Sequence, residues 1–159
     1  VSSKAYITSG TTWSIFTDGS DITVECIGAG ADGLNAHATT GERGGGGGAY
    51  ATRASIPYTP GATINIQIGG NGTDTIFDVG GGNTVIAKGG NAGTGGAAAS
   101  CTPSTGAFSG GNAGSIGDRS GSGGGGAAGP NGNGSNGGNG AGFPWDGGDG
   151  GNSDNGSGG

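Results

Sequence analysis

Apolar and polar residues alternate along the first half of the chain. From Asp21 to Ile27, Ile22, Val24 and Cys26 fall on one side, and Thr23 and Glu25 on the other. From Thr63 to Ile68 the isoleucines Ile64, Ile66 and Ile68 recur at every second position. A period of two puts one face of a strand in a core and leaves the other in water. The same reading predicts strands over Thr12–Thr17, which carries Trp13 and Phe16, and over Gly48–Ile56. Thr75–Val79 and Asn83–Ala87 flank Gly80–Gly82 and predict a hairpin. Turns are expected at Asp18-Gly19, Pro57, Pro60-Gly61 and Gly69–Gly72. No segment has a helical period. The fold class is therefore all-β with essentially no α-helix, and short strands at this spacing predict a small β-sandwich. The isolated stretch Ser3–Thr8, with Tyr6 and Ile7, reads either as an edge strand or as an arm that adds to a neighbouring subunit.

After Lys88 the apolar pattern stops; only Phe108, Ile116, Phe143 and Trp145 remain as large apolar groups. So few cannot offset chain entropy by side-chain burial. A second period replaces the first. Counting every third position from Gly111 to Gly138 meets glycine throughout, except at Ser120 and Ser135. Gly90, Gly93, Gly96, Gly147, Gly150, Gly156 and Gly159 share the frame. A left-handed extended helix with three residues per turn lines up every third residue, and small residues there let backbones approach closely. Collagen uses the same arithmetic but needs many prolines; this half has Pro103, Pro130 and Pro144. The expectation is a bundle of polyglycine-II helices bonded through their backbones, against the alternative of a flexible linker. The persistent frame and the alanines at Ala97–Ala99 and Ala127-Ala128 favour order. Residues 1–88 are read as a β-sandwich attachment or assembly domain with an N-terminal arm at 1–10, and 89–159 as the glycine-rich bundle.

Charge narrows the function. Lys and Arg number 5 against 11 Asp and Glu, for a net charge of −6. The cations Lys4, Arg43, Arg53, Lys88 and Arg119 are scattered, which argues against a nucleic-acid partner. No apolar run reaches membrane-spanning length, so no membrane insertion is expected. A start at Val1 without a charged-then-apolar leader, and a composition without Met, are expected of a processed product or a fragment.

The motifs that carry chemistry are weak. Gly28-Ala29-Gly30-Ala31-Asp32-Gly33 fits GxGxxG after a strand, but no helix and no second βαβ unit follow it. Gly69–Phe77 fits the calcium nonapeptide, yet a calcium β-roll needs consecutive copies. The acids Asp146, Asp149 and Asp154 are better read as solvated surface than as a calcium site. No metal and no cofactor is expected. His37 stands in a small-residue loop, Asn35–Thr40, without a nucleophile at a telling spacing, so no enzyme is expected. Cys26 and Cys101 form either a disulfide joining the two halves or two buried free thiols. Asn71, Asn133 and Asn155 are N-glycosylation sequons, each followed by glycine. The cluster Phe143-Pro144-Trp145-Asp146 either plugs one end of the bundle or presents a flat aromatic face for a sugar ring. Cys101–Phe108 and Ser115–Ser120 are the other expected loops, which adds Phe108 to Phe143, Trp145 and Asp146 as receptor-binding candidates.

Several passages, in order, resemble the glycine-rich domains at the ends of phage tail fibres, including T-even-type tail-fibre adhesins. They are Trp13, Thr23–Gly30, Gly44–Ala51, Thr59-Pro60-Gly61 with Ile64–Ile68, Thr75-Ile76-Phe77, Ala87–Gly90 and Gly123–Pro130. The resemblance covers about Trp13 to Gly142; the Tyr6–Ile7 arm and the tail from Gly147 lie outside it. It implies a β-sandwich followed by packed polyglycine-II helices, with receptor contacts in the loops between helices. Those loops vary in the family, so no individual contact residue carries over. Snow-flea-type antifreeze proteins share the helix type but lack the β half.

Two function classes follow. One is an extracellular receptor-binding module of a virion fibre, whose partner is a host cell-surface glycan or outer-membrane protein. The other is the subunit of an extracellular filament, joined to other fibre subunits or identical protomers through Tyr6 and Ile7.

Overall fold

A computed structural model describes residues 4–17, 21–34, 42–117, 120–142 and 146–153. Among them the fold is all-β. Its strands are β1 (Thr12–Ser14), β2 (Asp21–Ile27), β3 (Tyr50–Pro57), β4 (Thr63–Gln67), β5 (Thr75–Phe77) and β6 (Val85–Ala87), with one 3-10 turn at Ala98–Ser100 and no α-helix. They form two antiparallel sheets, one ordered β1-β4-β5-β6 and one made of β2 and β3.

The alternation read from the sequence sets the faces. In β2, Cys26 is buried and Ile22 and Val24 are half-buried, while Thr23 and Glu25 are exposed. The core lies between the sheets: Cys26, Ala51 and Ile56 from one meet Ile66, Phe77, Val85 and Ala87 from the other. Trp13 closes it, standing edge-on to Phe16 at 5.5 Å and to Phe77 at 6.3 Å.

The differences from the expected strands have local causes. The β5–β6 hairpin forms in register, Phe77 opposite Val85. β5 stops at Phe77 because Asp78 turns left-handed, with φ +56°, and its carboxylate accepts the Asn83 N–H at 2.8 Å. Ser55, at φ +54°, marks a bulge in β3, where the register shifts between Ile22 and Val24. Residues 4–8 form no strand, although Ile7 packs against the core. The turn expected at Asp18-Gly19 lies outside the described residues.

Glycine segments carry the strands onward. The β2–β3 ladder ends at Ile27 opposite Tyr50. In the same register the Gly28 N–H then donates to Ala49 C=O, Ala31 to Gly46 and Leu34 to Arg43. Bonds now fall at every third residue, as for two threefold chains side by side. The same step recurs throughout. Gly111, Gly114 and Gly117 donate to Gly126, Gly123 and Ser120; Gly123, Gly126 and Gly129 donate to Gly138, Ser135 and Gly132. Ser135, Gly138 and Ala141 donate in turn to Asn152, Asp149 and Asp146. Parallel neighbours obey it too, as when Ser122, Gly125 and Ala128 donate to Glu42, Gly45 and Gly48.

Segment 42–49 sits at the centre. It bonds to 28–34, 88–96, 108–111 and 122–128, so backbone bonds tie the two halves of the chain together. Gly46, Gly47 and Gly48 are buried, and a Cβ on any of them would overlap a neighbouring carbonyl, of Thr94, Gly126 and Gly28 respectively.

Candidate functional site

The hydrogen bonds give each glycine segment a direction, and the directions bring segment ends together. Residues 28–34 run away from the sheets and 42–49 return; 108–117 leave and 120–129 return; 132–141 leave and 146–153 return. The residues flanking three connections therefore meet at one end of the molecule: Leu34 with Glu42, Gly117 with Ser120, and Ala141 with Asp146. Cross-bonds hold this end together, from Ser122 N–H to Glu42 C=O, from Gly140 to Ser115 and from Gly148 to Gly121. The Ser120 hydroxyl donates to Ala141 C=O.

This distal end is exposed and mixed in character. Leu34 is 56% exposed and Ile116 48%, and the Asp146 side chain is exposed. Glu42 Oε1 is buried there without a hydrogen-bond partner, alone in this among the described residues. A buried carboxylate oxygen left open is an acceptor awaiting a donor. Sequence reasoning passed over Glu42 and Leu34. Their only signal was the flanking of a small-residue loop, and nothing in one dimension places Leu34 and Glu42 at the same end as Ser120 and Asp146.

The sequence candidates separate. Asp146 is at the distal end, and its C=O accepts the Ala141 N–H. Phe108 is away from this end, at the junction with the sheets, where it and Tyr50, the first residue of β3, exchange both backbone bonds and their rings stack with centroids 6.2 Å apart. Phe108 is half-buried in that pairing. Phe143, Trp145, Asn155, His37 and Asp154 lie outside the described residues. Tyr6 is 86% exposed beside Ile7, which packs on the core.

The other motifs are occupied by structural work. A Cβ on Gly28 would overlap the Lys88 carbonyl, so the first glycine of GxGxxG serves backbone contact. Asp74, the acid of the nonapeptide, accepts Lys88 Nζ and the Gly89 N–H. Burial opposes its charge, but Lys88 and the Gly89 N–H outweigh burial and hold the carboxyl below its usual range. No cluster of three or more His, Cys, Asp or Glu could hold a metal among the described residues. Cys26 and Cys101 are buried free thiols in one apolar cluster. Burial pushes Cys26 up to about 11 and raises Cys101 as well, so both stay protonated and unreactive near neutral pH. Asn71 and Asn133 are exposed, with their Oδ1 atoms accepting from Asp32 and Ser109 N–H.

An open groove of about 420 Å³ lies between the sheets, lined in part by Ile15, Ile56, Ile64, Phe77 and Asp78. No helix among the described residues is long and apolar enough to cross a membrane. No family model matches the chain, and neither a curated protein nor a solved structure gives a significant match.

Proposed function

We propose that this chain is a non-catalytic extracellular fibre module, similar to a phage tail-fibre adhesin. In this reading the two sheets form a β-sandwich, and the segments bonded at every third residue are a bundle of polyglycine-II helices. The observation that carries it is the gathering of the residues that flank three connections, with exposed Leu34, Ile116 and Asp146 and the open Glu42 carboxylate, at the end farthest from the sheets. A backbone-bonded scaffold with segment ends gathered at one tip suits recognition, because binding residues sit best on loops held by a rigid frame. Glu42 and Asp146 would accept from sugar hydroxyls, and Trp145 would supply a face for a sugar ring. The partner is a host cell-surface glycan or an outer-membrane protein.

The test is binding of the labelled chain to an array of bacterial surface polysaccharides and to whole bacteria. The double variant E42Q/W145A should lose at least about tenfold in affinity with an unchanged melting temperature. Binding equal to that of the parent chain would remove the reading.

A second reading is favoured by Tyr6, exposed beside the anchored Ile7 on a segment that forms no strand. There the chain is a filament subunit, and Tyr6 joins a neighbouring protomer. Deleting residues 1–8 would then abolish assembly while leaving glycan binding intact.

A further inference from the structure

The segments on one face of the glycine region cap one another in a fixed order. The Ala98 N–H donates to Ser109 Oγ at 2.9 Å, and Gly95 to Asn112 Oδ1 at 2.9 Å. One segment further out, Ser109, Asn112 and Ser115 donate to the Oδ1 atoms of Asn133, Asn136 and Asn139, at 2.8, 2.8 and 2.7 Å. Each outward N–H is thus met by a polar side chain from the next segment along. The row ends at 132–141. The backbone N–H groups of Asn133, Asn136 and Asn139 have no partner among the described residues, and no bond reaches the carbonyls of Asn133, Gly134, Asn136 and Gly137.

An edge that offers both donors and acceptors is complementary to itself. Natural sheet edges are shielded by charge or proline. Segment 146–153 carries Asp146 and Asp149, and 28–34 carries Asp32. Segment 132–141 has neither charge nor proline, and no charged residue occurs from Ser120 to Trp145 in a chain of net charge −6. This is where two acidic copies can approach with least repulsion.

We propose that segment 132–141 is an assembly edge at which a second copy of this chain docks, edge to edge, through backbone bonds at every third residue. The edge rests on the backbone at Asn133, Asn136 and Asn139 and uses neither the tip side chains Leu34, Glu42 and Asp146 nor Tyr6, so it stands or falls separately from the proposed function. The Asn side chains keep their inward role, and their amide nitrogens remain at the surface.

Sedimentation of the full chain from about 10 μM to about 1 mM covers the range in which a small polar interface registers. The parent chain should self-associate across it. The triple variant N133D/N136D/N139D keeps every Oδ acceptor, adds like charges to the edge, and should remain monomeric. A parent chain that stays monomeric, or a variant that associates equally well, overturns the proposal. Should the variant melt early, amide exchange in the parent chain decides. The Asn133, Asn136 and Asn139 amides should exchange at least about tenfold more slowly in the associated form than in the dilute one. Equal exchange in the two forms overturns the proposal.

Discussion

Gly47 shows how a single missing side chain supports this fold. Its N–H donates to Gly111 C=O at 3.0 Å and its C=O accepts from Gly96 at 2.9 Å. A methyl group there would meet the Gly126 carbonyl, which cannot yield without breaking the packing of segment 120–129 on 42–49. Gly70 is the contrast: nothing lies within 4 Å of an added Cβ, and its φ is not in the left-handed region. Gly47→Ala should therefore cost at least about 3 kcal/mol, the upper range for overpacking a core. Gly70→Ala should be neutral or gain about 0.5 kcal/mol by restricting the unfolded chain. Urea melts of the two variants measure both, and a mild Gly47→Ala would show that the segments are not held at backbone contact.

At the scale of the element, the Asn–Gly pairs stand out. Such pairs lose ammonia when the glycine nitrogen attacks the Asn side-chain carbonyl and closes a succinimide, which water then opens to Asp or isoAsp. In the fold the nitrogen is engaged at every described pair. Gly72, Gly132, Gly134, Gly137 and Gly140 each donate to a backbone carbonyl, of Gly30, Gly129, Ser109, Asn112 and Ser115. The attack needs that bond broken and the segment peeled away. Peptide mapping after mild alkaline incubation should find Asn133, Asn136 and Asn139 intact in the folded chain and deamidated in urea. Equal loss in both would mean that these segments open freely. Asparagine commonly serves in turns; here Asn133, Asn136 and Asn139 serve instead as caps along an extended segment.

For the whole molecule, strand and glycine segment are one continuous ladder. β2 passes into 28–34 and 42–49 passes into β3 without a change of register, and 42–49 is bonded on to 88–96, 108–111 and 122–128. Neither part can come apart without stripping the other of partners, so one cooperative unfolding transition is expected. In a W145F background, Trp13 fluorescence reports the sheets and amide exchange of Gly134, Gly137 and Gly140 reports the glycine segments. Both should be lost at the same urea concentration; two separated midpoints would show independent units.

What could be read in one dimension was periodicity. Alternation at Ile22, Val24 and Cys26, and at Ile64, Ile66 and Ile68, determined strands and their buried faces, because a pleated backbone alternates its side chains. Glycine or serine at every third position from Gly111 to Gly138 marked one set of close backbone approaches, at Gly111, Gly114, Gly123 and Gly126 for example. Gly125, Gly134, Gly137 and Gly140, outside that frame, stand against neighbouring backbones as well. Tertiary structure alone decided the partners. A run of glycines such as Gly44–Gly48 has no side chains to specify a neighbour, so its place at the centre depends on the strands that anchor its ends. The same holds for the site: Asp146 and Glu42 share an end, and Phe108 stands back at the junction with the sheets, only because successive segments reverse direction.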